Sequence, residues 1–393
     1  MESTAMTHSG PLSVGMLTKE WPPHIYGGAG VHVTNLVESL AINPELSITT
    51  HCFGSARNDA KAYELSESLA KVNPALQTLL INLDMSRNLS QSSLVHSHTW
   101  YANFAGFLAH RMYEIPHVIT AHSLEPLRPW KAEQLGSGYE ISSWIEKKAY
   151  ESASAIIAVS DGMAADIKSA YPLVDPRKIH TIRNGINVDR FKPHHDPSIL
   201  ARYSIDFPYA LFVGRITRQK GLAHLLRAWR EVPSHFGLVV AASNPDEPAI
   251  GAEVEELITE LQKSRSNVIW IKEKLPHEEL ITFLTSALVF ACPSIYEPLG
   301  IVNLEAMACE TAVVASRVGG IPEVVDDGVT GILVDYSSDA HSFEEKLTAA
   351  LMEVMENESR AKEFGLNGRA RAINEFGWDK VASQTIALYR SLL

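Results

Sequence analysis

The sequence predicts an α/β protein made of two parallel-sheet domains. Short apolar runs alternate with segments of helical periodicity along nearly the whole chain, a pattern typical of parallel sheets covered by helices. The alternation stops at residues 191–197, which contain prolines and histidines, and then begins again. The chain of 393 residues also exceeds what one hydrophobic core usually serves. We therefore expect two Rossmann-like domains facing each other across a deep cleft, with ligands at the carboxyl ends of the strands.

The predicted elements fall on both sides of that break, which places the domains at 14–192 and 197–377. In the first half we predict strands at 14–18, 47–53, 94–98, 117–122, 155–160 and 179–184, with helices at 31–40, 103–112, 139–153 and 161–170. In the second half we predict strands at 209–215, 237–243, 268–272, 288–294, 312–318 and 331–335. Residues 1–13 are polar and are predicted to form a flexible extension. Residues 378–393 have helical spacing, which does not decide the domain they pack on.

Composition argues against several classes of function. The net charge of −12 disfavours general affinity for nucleic acid or for an anionic membrane surface. No apolar run approaches the roughly 18 residues that a membrane-spanning helix needs. The three cysteines are odd in number and far apart, which favours a reducing, cytoplasmic location over a disulfide framework. A monomer and a homodimer are both compatible with the sequence, and any anionic ligand must meet a local cluster of cations.

The stretch 288–310 is the strongest candidate site. Glu297 lies on a loop with proline and glycine after a buried strand, and Glu305 lies in a helix predicted to begin at Ile301. A helix N-terminus attracts anions, so its free N–H groups suit a diphosphate. The residues expected to contribute this donor-binding turn are Leu299, Gly300, Ile301 and Val302. Because a carboxylate accepts two hydroxyl hydrogen bonds at once, Glu305 is expected to bind a ribose and Glu297 a transferred sugar. The alternative is one ordinary loop glutamate and one ordinary helix glutamate.

Two further turns are predicted to bind the same donor. Gly27 and Gly28 lie between a strand and a helix, where bare backbone lets N–H groups approach a phosphate, although a plain turn is the alternative. The G-x-G-x-x-G fingerprint of dinucleotide binding is incomplete there. Gly214 precedes Arg215, and Lys220 follows five residues later. At a strand's carboxyl end these two cations are placed to clamp a diphosphate, with a solvated basic turn as the alternative.

The residues predicted to bind the acceptor lie in the first half of the sequence. His122 ends a strand at the expected ligand edge, where a capping histidine is the alternative. The loop that follows offers an aromatic ring for stacking on a sugar and cations for a phosphate, although it could equally be an anchored surface loop. The residues predicted to contact the acceptor are Trp100, Tyr101, Arg128, Trp130 and Lys131.

No metal or cofactor is predicted. His96 and His98 lie on one face of a strand, but no carboxylate or cysteine is near them in sequence to complete a metal site. No Asp-x-Asp pair follows a strand where it could hold Mg²⁺. Protein cations are therefore expected to meet the charge of the ligand.

These motifs resemble the retaining glycosyltransferases of family 4, which have the GT-B fold. The matching segments are E-x7-E at 297–305, V-G-R-x4-K-G at 213–221, N-G-I at 184–186 and S-R-V-G-G-I-P-E-V-V at 316–325. The resemblance implies that Arg215 and Lys220 hold the diphosphate, and that Glu305 binds the ribose. It also implies that Glu297 and His122 contact the transferred glucose, and that the helix at 378–393 crosses back onto the first domain.

Within the family, the runs at 19–40, 96–109 and 120–151 resemble actinobacterial enzymes of glycogen biosynthesis that use ADP-glucose. The implied reaction is a retaining α-1,4-glucosyl transfer to glucose 1-phosphate, or to the end of an α-glucan. Tyr26 stands where larger bacterial glycogen synthases have a lysine, so acceptor contacts are not carried over from those enzymes. The alternatives are a family 4 transferase using a UDP- or GDP-sugar with an inositol-phosphate acceptor, a sugar-nucleotide epimerase on the same fold, and a non-catalytic glucan-binding protein.

Overall fold

The computed structural model describes residues 11–25, 27–69, 71–128 and 136–393. The chain divides into two compact units. Unit 1 runs to Asn184 and includes Trp378–Leu393, and unit 2 is Gly185–Gly377. Among the residues described, no helix is both long and apolar enough to cross a bilayer.

Unit 1 contains one parallel sheet with helices between its strands. Its strands are β1 (Leu12–Leu17), β2 (Leu46–Phe53), β3 (Lys61–Tyr63), β4 (Leu94–His98), β5 (His117–Ala121), β6 (Ala155–Ala158) and β7 (Ile179–Thr181). Its helices are α1 (Gly28–Leu40), α2 (Pro74–Ser86), α3 (Trp100–Tyr113), α4 (Gly138–Ser152) and α5 (Asp161–Ala170), together with the C-terminal helix Trp378–Ser391. The strand order is β3-β2-β1-β4-β5-β6-β7, and the neighbouring strands pair in parallel.

The predicted strands of unit 1 are present, and the differences lie at its edges. All five residues of β4 and of β5 are buried, including the polar His96, Ser97, His98, His117 and Thr120. β1 begins at Leu12, within the predicted extension, because Leu12–Leu17 pairs with β2; residues 1–10 lie outside the described ranges. β3 and α2 were not predicted, and β3 has only three residues.

The C-terminal helix belongs to unit 1. Trp378, Val381, Ile386 and Tyr389 are buried in the same core as Val33 of α1. The Tyr389 hydroxyl also forms a hydrogen bond of 2.6 Å with His96 Nδ1 on β4. These contacts confirm that the helix returns to the first domain.

Unit 2 also contains one parallel sheet with helices between its strands. Its strands are β8 (Tyr209–Ile216), β9 (Gly237–Pro245), β10 (Val268–Ile271), β11 (Val289–Cys292), β12 (Ala312–Ser316) and β13 (Gly331–Val334). Its helices are α6 (Pro197–Arg202), α7 (Leu222–Ala228), α8 (Pro248–Ser264), α9 (His277–Ser286), α10 (Ile301–Ala308), α11 (Ile321–Val324), α12 (Ala340–Met355) and α13 (Glu358–Glu375). The strand order is β10-β9-β8-β11-β12-β13, with parallel pairing throughout.

The boundary between the units precedes the sequence break at 191–197. The Phe191 ring lies 4.8 Å from the His277 ring, centroid to centroid, and the His194 N–H donates to Thr285 Oγ1 at 3.1 Å. Arg190 Nε also donates to His277 at 3.2 Å. Because these residues pack on α9, the chain beyond Asn184 is part of unit 2.

Each sheet reverses its strand order at one point. The reversal lies between β1 and β4 in unit 1, and between β8 and β11 in unit 2. In open parallel sheets such a reversal leaves a crevice outside the carboxyl ends of the strands, where ligands bind. The loops after these four strands are therefore the places to look for function.

Candidate functional site

Arg215 lies near the end of β8, at the strand reversal of unit 2. Its Nη1 donates to both carboxylate oxygens of Asp246, at 2.8 and 2.6 Å. Asp246 follows directly after β9. The guanidinium is 37% exposed, and Nη1 is the nitrogen that makes these bonds, so Nε and Nη2 offer further N–H donors. Arg215 is thus oriented by a carboxylate while part of its fork faces solvent.

Lys220 and Glu297 form the second ion pair of this edge. Lys220 Nζ lies 2.6 Å from Glu297 Oε2, and the two side chains are only 19% and 9% exposed. Ser294 Oγ donates to the same carboxylate oxygen at 3.2 Å. Burial lowers the pKa of Lys220, but the charge and hydrogen bond of Glu297 outweigh it, so this pKa stands above its ordinary value. Lys220 is therefore a fixed ammonium at neutral pH.

Glycines explain how these loops come together. Gly221, directly after Lys220, has φ +66°, and a Cβ there would lie 2.0 Å from the Pro293 carbonyl oxygen. Gly319 has φ +52°, and a Cβ there would lie 2.0 Å from the Glu297 carbonyl oxygen. Only glycine tolerates both the conformation and the approach. The K-G and V-G-G-I-P motifs therefore let the β8 and β12 loops close on the loop that carries Glu297.

The loop after β11 ends in a helix N-terminus. Gly300 has φ +96° and precedes α10, whose first residues Ile301 and Val302 are half-buried. Leu299 is buried, so it can offer only its backbone. The first N–H groups of such a helix have no partner within the helix. The turn is therefore present where it was expected, and its binding of an anion stays a prediction.

Glu305 lies one turn into α10. It is half-buried, and burial raises its pKa to about 7, with the positive charges of Arg190 and Lys220 opposing that rise. Lys220 also interacts with the charge of Arg215. The structure thus brings the predicted donor residues Arg215, Lys220, Glu297 and Glu305 into one electrostatic cluster. Gly214 precedes them, and a Cβ there would meet protein atoms only at 3.4 Å or more.

The first glycine turn, in unit 1, is occupied by a protein carboxylate. The Gly27 N–H donates to Glu20 Oε2 at 2.9 Å, and Glu20 is buried. A Cβ on Gly30 would lie 2.6 Å from the same oxygen. This corrects the prediction for Gly27, whose N–H binds Glu20. Gly28 is exposed at the start of α1, and its phosphate contact stays a prediction.

His122 lies beside a buried cluster of histidines. Its Nε2 shares a hydrogen bond of 2.9 Å with His98 Nδ1, and His98 Nε2 lies 3.1 Å from Met16 Sδ. Burial, and to a smaller extent the neighbouring imidazoles, lowers the pKa of His98 and of His122 well below the ordinary value. His122 is half-buried, so it presents a neutral imidazole toward solvent.

The predicted acceptor residues of unit 1 separate into two kinds. Trp100 is 2% exposed and packs with Ala75 and Ile145, so the prediction that its ring binds the acceptor is corrected to a core role. Tyr101 lies under the Lys19 ammonium, which is 3.8 Å from the ring centroid. Arg128 donates to Ser123 Oγ at 2.9 Å. Trp130, Lys131 and Tyr26 lie outside the described residues.

Sequence reasoning missed three residues. Glu20 lies within the run at 19–40 but was given no role there, and Asp246 lies in no motif; their contacts with Gly27 and Arg215 identify them. His32 lies on α1 with its ring centroid 4.7 Å from that of His122. Its position five residues after Gly27 in the sequence was the signal that could have identified it.

Comparisons with known proteins agree with this architecture. The family model described as "Glycosyl transferases group 1" matches residues 202–371, and the one described as "Glycosyltransferase Family 4" matches residues 26–190. The alpha-maltose-1-phosphate synthase of Mycolicibacterium smegmatis is 49% identical, over 97% of this chain and 100% of its own length. The protein of the same name from Mycobacterium tuberculosis is 48% identical over the same shares. Sucrose-phosphate synthase from Thermosynechococcus elongatus has a TM-score of 0.81 at 25% identity, covering 97% of this chain and 99% of that one.

The two parallel-sheet units and these similarities define a glycosyltransferase with the GT-B fold. It is a hexosyltransferase whose relatives act on sugars. The chain belongs to glycosyltransferase family 4.

Proposed function

We propose that the chain is a retaining α-1,4-glucosyltransferase that uses ADP-glucose. Its acceptor is glucose 1-phosphate, giving α-maltose 1-phosphate, or the end of an α-glucan in glycogen biosynthesis, or both. The observation that carries the proposal is the 49% identity with an alpha-maltose-1-phosphate synthase along the full length of that protein. The charged cluster at the strand reversal of unit 2 supports it, because it suits a sugar joined to a diphosphate and a ribose.

In this proposal, the donor's charge is met by protein groups. The free N–H donors of Arg215, the Lys220 ammonium and the N-terminus of α10 hold the diphosphate. Glu305 accepts hydrogen bonds from the ribose, and Glu297 from the glucose hydroxyls. His122 contacts the transferred glucose, as the family resemblance implies. Arg128 and Tyr101 remain the described candidates for the acceptor.

The chemical step then follows from charge stabilisation. The acceptor hydroxyl attacks the anomeric carbon from the face that the diphosphate leaves, so the α-configuration is retained. The departing phosphate oxygen takes the acceptor's proton, and the two cations stabilise the negative charge that develops on the diphosphate. No divalent metal is needed for this step, so excess chelator should not lower the rate.

A cavity beside the ion pairs suits the nucleobase. Its volume is about 360 Å³, and its lining includes Pro245, Pro248, Glu255, Trp270 and Lys272. Lys272 Nζ lies 4.0 Å from the Trp270 ring centroid. Pro245 directly precedes Asp246, which binds Arg215, so the cavity adjoins the proposed diphosphate site. We assign the adenine to this cavity.

Product analysis tests the proposal. The protein is incubated with ADP-, UDP- or GDP-sugars, and with glucose 1-phosphate, glycogen or no acceptor, and products are identified by ³¹P NMR. The expected result is α-maltose 1-phosphate from ADP-glucose and glucose 1-phosphate. Conversion of ADP-glucose only with glycogen would reject that product as the main activity. Conversion of a UDP-sugar without acceptor would indicate an epimerase.

A matched pair of variants tests the site. Arg215→Ala should lower kcat by about 10²- to 10³-fold, since it removes a donor to charge that develops in the transition state. Arg230→Ala is the control, because Arg230 forms an exposed ion pair of 2.6 Å with Glu260 elsewhere on unit 2. Equal rates for the two variants would contradict the assignment of Arg215.

A further inference from the structure

Three histidines from different elements of unit 1 converge at one place. His32 comes from α1, His98 from the end of β4, and His122 follows β5. A ring nitrogen from each lies within 4.8 Å of those of the other two. Neighbouring His96 is not part of this group, because its nitrogens bind Tyr389 Oη and Thr120 Oγ1 at 2.6 and 2.7 Å.

His32 is the unusual member. It is 2% exposed, yet among the described residues neither of its ring nitrogens has a hydrogen-bond partner. Burial lowers its pKa to about 4, and the side chain of Asn184, which lies near the ring outside hydrogen-bonding geometry, acts in the opposite direction. A neutral buried imidazole with unmet hydrogen-bonding capacity destabilises the free protein. Such a group indicates a ligand that can use its lone pair.

The other two rings are arranged so that one ion could replace one proton. His98 Nδ1 and His122 Nε2 share a single proton across 2.9 Å. Imidazole nitrogens bound to the same tetrahedral Zn²⁺ at 2.0–2.1 Å stand about 3.3 Å apart, so a small separation of the rings suffices. The displaced proton can then lie on His98 Nε2, which faces Met16 Sδ at 3.1 Å. A metal-bound histidine normally directs its second N–H to a hydrogen-bond acceptor, and here that acceptor is the weakly accepting thioether sulfur of Met16.

We infer that His32, His98 and His122 bind a divalent transition-metal ion, with Zn²⁺ as the expected ion. Three neutral imidazoles with an open fourth position are a ligand set that zinc uses elsewhere. The half-buried His122 gives the ion its route from solvent. The bound ion inhibits sugar transfer by taking the imidazole of His122, a consequence that rests on the function proposed above for that residue.

Binding is tested on tag-free, full-length protein with Co²⁺ as a spectroscopic substitute for Zn²⁺. The wild type should take up one equivalent, with the intense visible absorption of four- or five-coordinate cobalt, and one equivalent of Zn²⁺ should bleach it. His32→Gln should lose this band. His341→Gln is the control, because that side chain is 82% exposed on α12 and should leave the band unchanged. Absence of the band from the wild type, or its persistence in His32→Gln, would overturn the site.

Two further measurements keep the inference testable. If His32→Gln does not fold, the wild type is studied instead by zinc K-edge X-ray absorption with one equivalent of Zn²⁺. The spectrum should show three imidazole ligands. A coordination shell made mainly of sulfur or carboxylate ligands would refute the site. In the transfer assay, His32→Gln should need at least about tenfold more Zn²⁺ for half-inhibition than His341→Gln. Saturated binding without inhibition would refute the inhibitory role alone. Absence of any transfer activity would count against the proposed function, while the spectra would still report on the site.

Discussion

Lys220→Met should strongly destabilise the protein, because it isolates a buried carboxylate. Lys220 Nζ and Glu297 Oε2 are 2.6 Å apart, with 9% of the Glu297 side chain exposed. At an effective dielectric constant of about 20, two unit charges at that distance attract by about 6 kcal/mol. Desolvation of both groups offsets part of this attraction. Since the Ser294 hydroxyl would still donate to that oxygen but carries no charge to compensate it, we expect a loss of about 3–5 kcal/mol in the free energy of unfolding.

Urea denaturation measures this loss, and hydrogen exchange of the β8 and β11 amides locates it, since the two units need not unfold together. The double variant Lys220→Met/Glu297→Gln should be more stable than Lys220→Met, because it leaves no uncompensated charge. Lys148→Met is the control: its ammonium is 46% exposed and lies 3.3 Å from Glu151 on α4, so its loss should stay below about 1 kcal/mol. A Lys220→Met loss as small as that of Lys148→Met, or no recovery in the double variant, would refute the argument.

Three other perturbations test charges at buried positions. Asp246→Asn removes an anion beside the proposed diphosphate site, and should tighten ADP binding by about 1 kcal/mol, roughly fivefold, by isothermal calorimetry; weaker binding would show that holding Arg215 in place matters more. An ionised carboxylate is the stronger acceptor for ribose hydroxyls, so the ADP affinity of the wild type should rise with pH through about 7, the pKa of Glu305. Glu305→Gln should show a shallower rise, left by titration of the ADP phosphate alone, and identical pH profiles would contradict the assignment. Burial, together with the charge of Glu125, raises the pKa of Glu146 from its unfolded value of 4.5 to about 8. The wild type therefore loses stability as the pH rises between these two pKa values. Glu146→Gln should therefore gain stability relative to the wild type from about pH 5 to about pH 8 in thermal denaturation, and a parallel pH dependence would disprove this.

The fold could be read from the sequence wherever strands are buried on both faces. Residues 289–292 lie within the strand predicted at 288–294 and form β11, because Val-Phe-Ala-Cys is a short apolar run in which every residue is buried. β3 could not be predicted, since a three-residue edge strand carries no periodicity. The start of β1 was placed too late because Leu12 and Ser13 follow a polar stretch, and only pairing with β2 shows that they are extended.

The sequence identified individual residues of the candidate site but not the ion pairs that they form. Lys220 and Glu297 were each selected from their loops, yet their ion pair spans 77 positions in the sequence. Asp246 lies in no recognised motif, and it was found only because β8 and β9 are neighbours. Trp100 was named among the acceptor residues, whereas packing on α2 and α4 makes it a core residue. Tertiary contacts therefore decided roles that local sequence left open.

The carboxylates at these sites explain how an acidic protein can keep cations ready for a diphosphate. Arg215 is held by Asp246, Lys220 by Glu297, and the Gly27 N–H by Glu20. Each pairing avoids an uncompensated buried donor or charge in the free protein. It also reduces the local positive potential, so a diphosphate at the proposed site would compete with Asp246 for Arg215 and with Glu297 for Lys220. In that proposal the glucose hydroxyls of a sugar nucleotide donate to Glu297, so this competitor becomes a binding partner of the complete donor. Selectivity for the complete donor over its phosphate fragment would then arise from the anions of the site as much as from its cations.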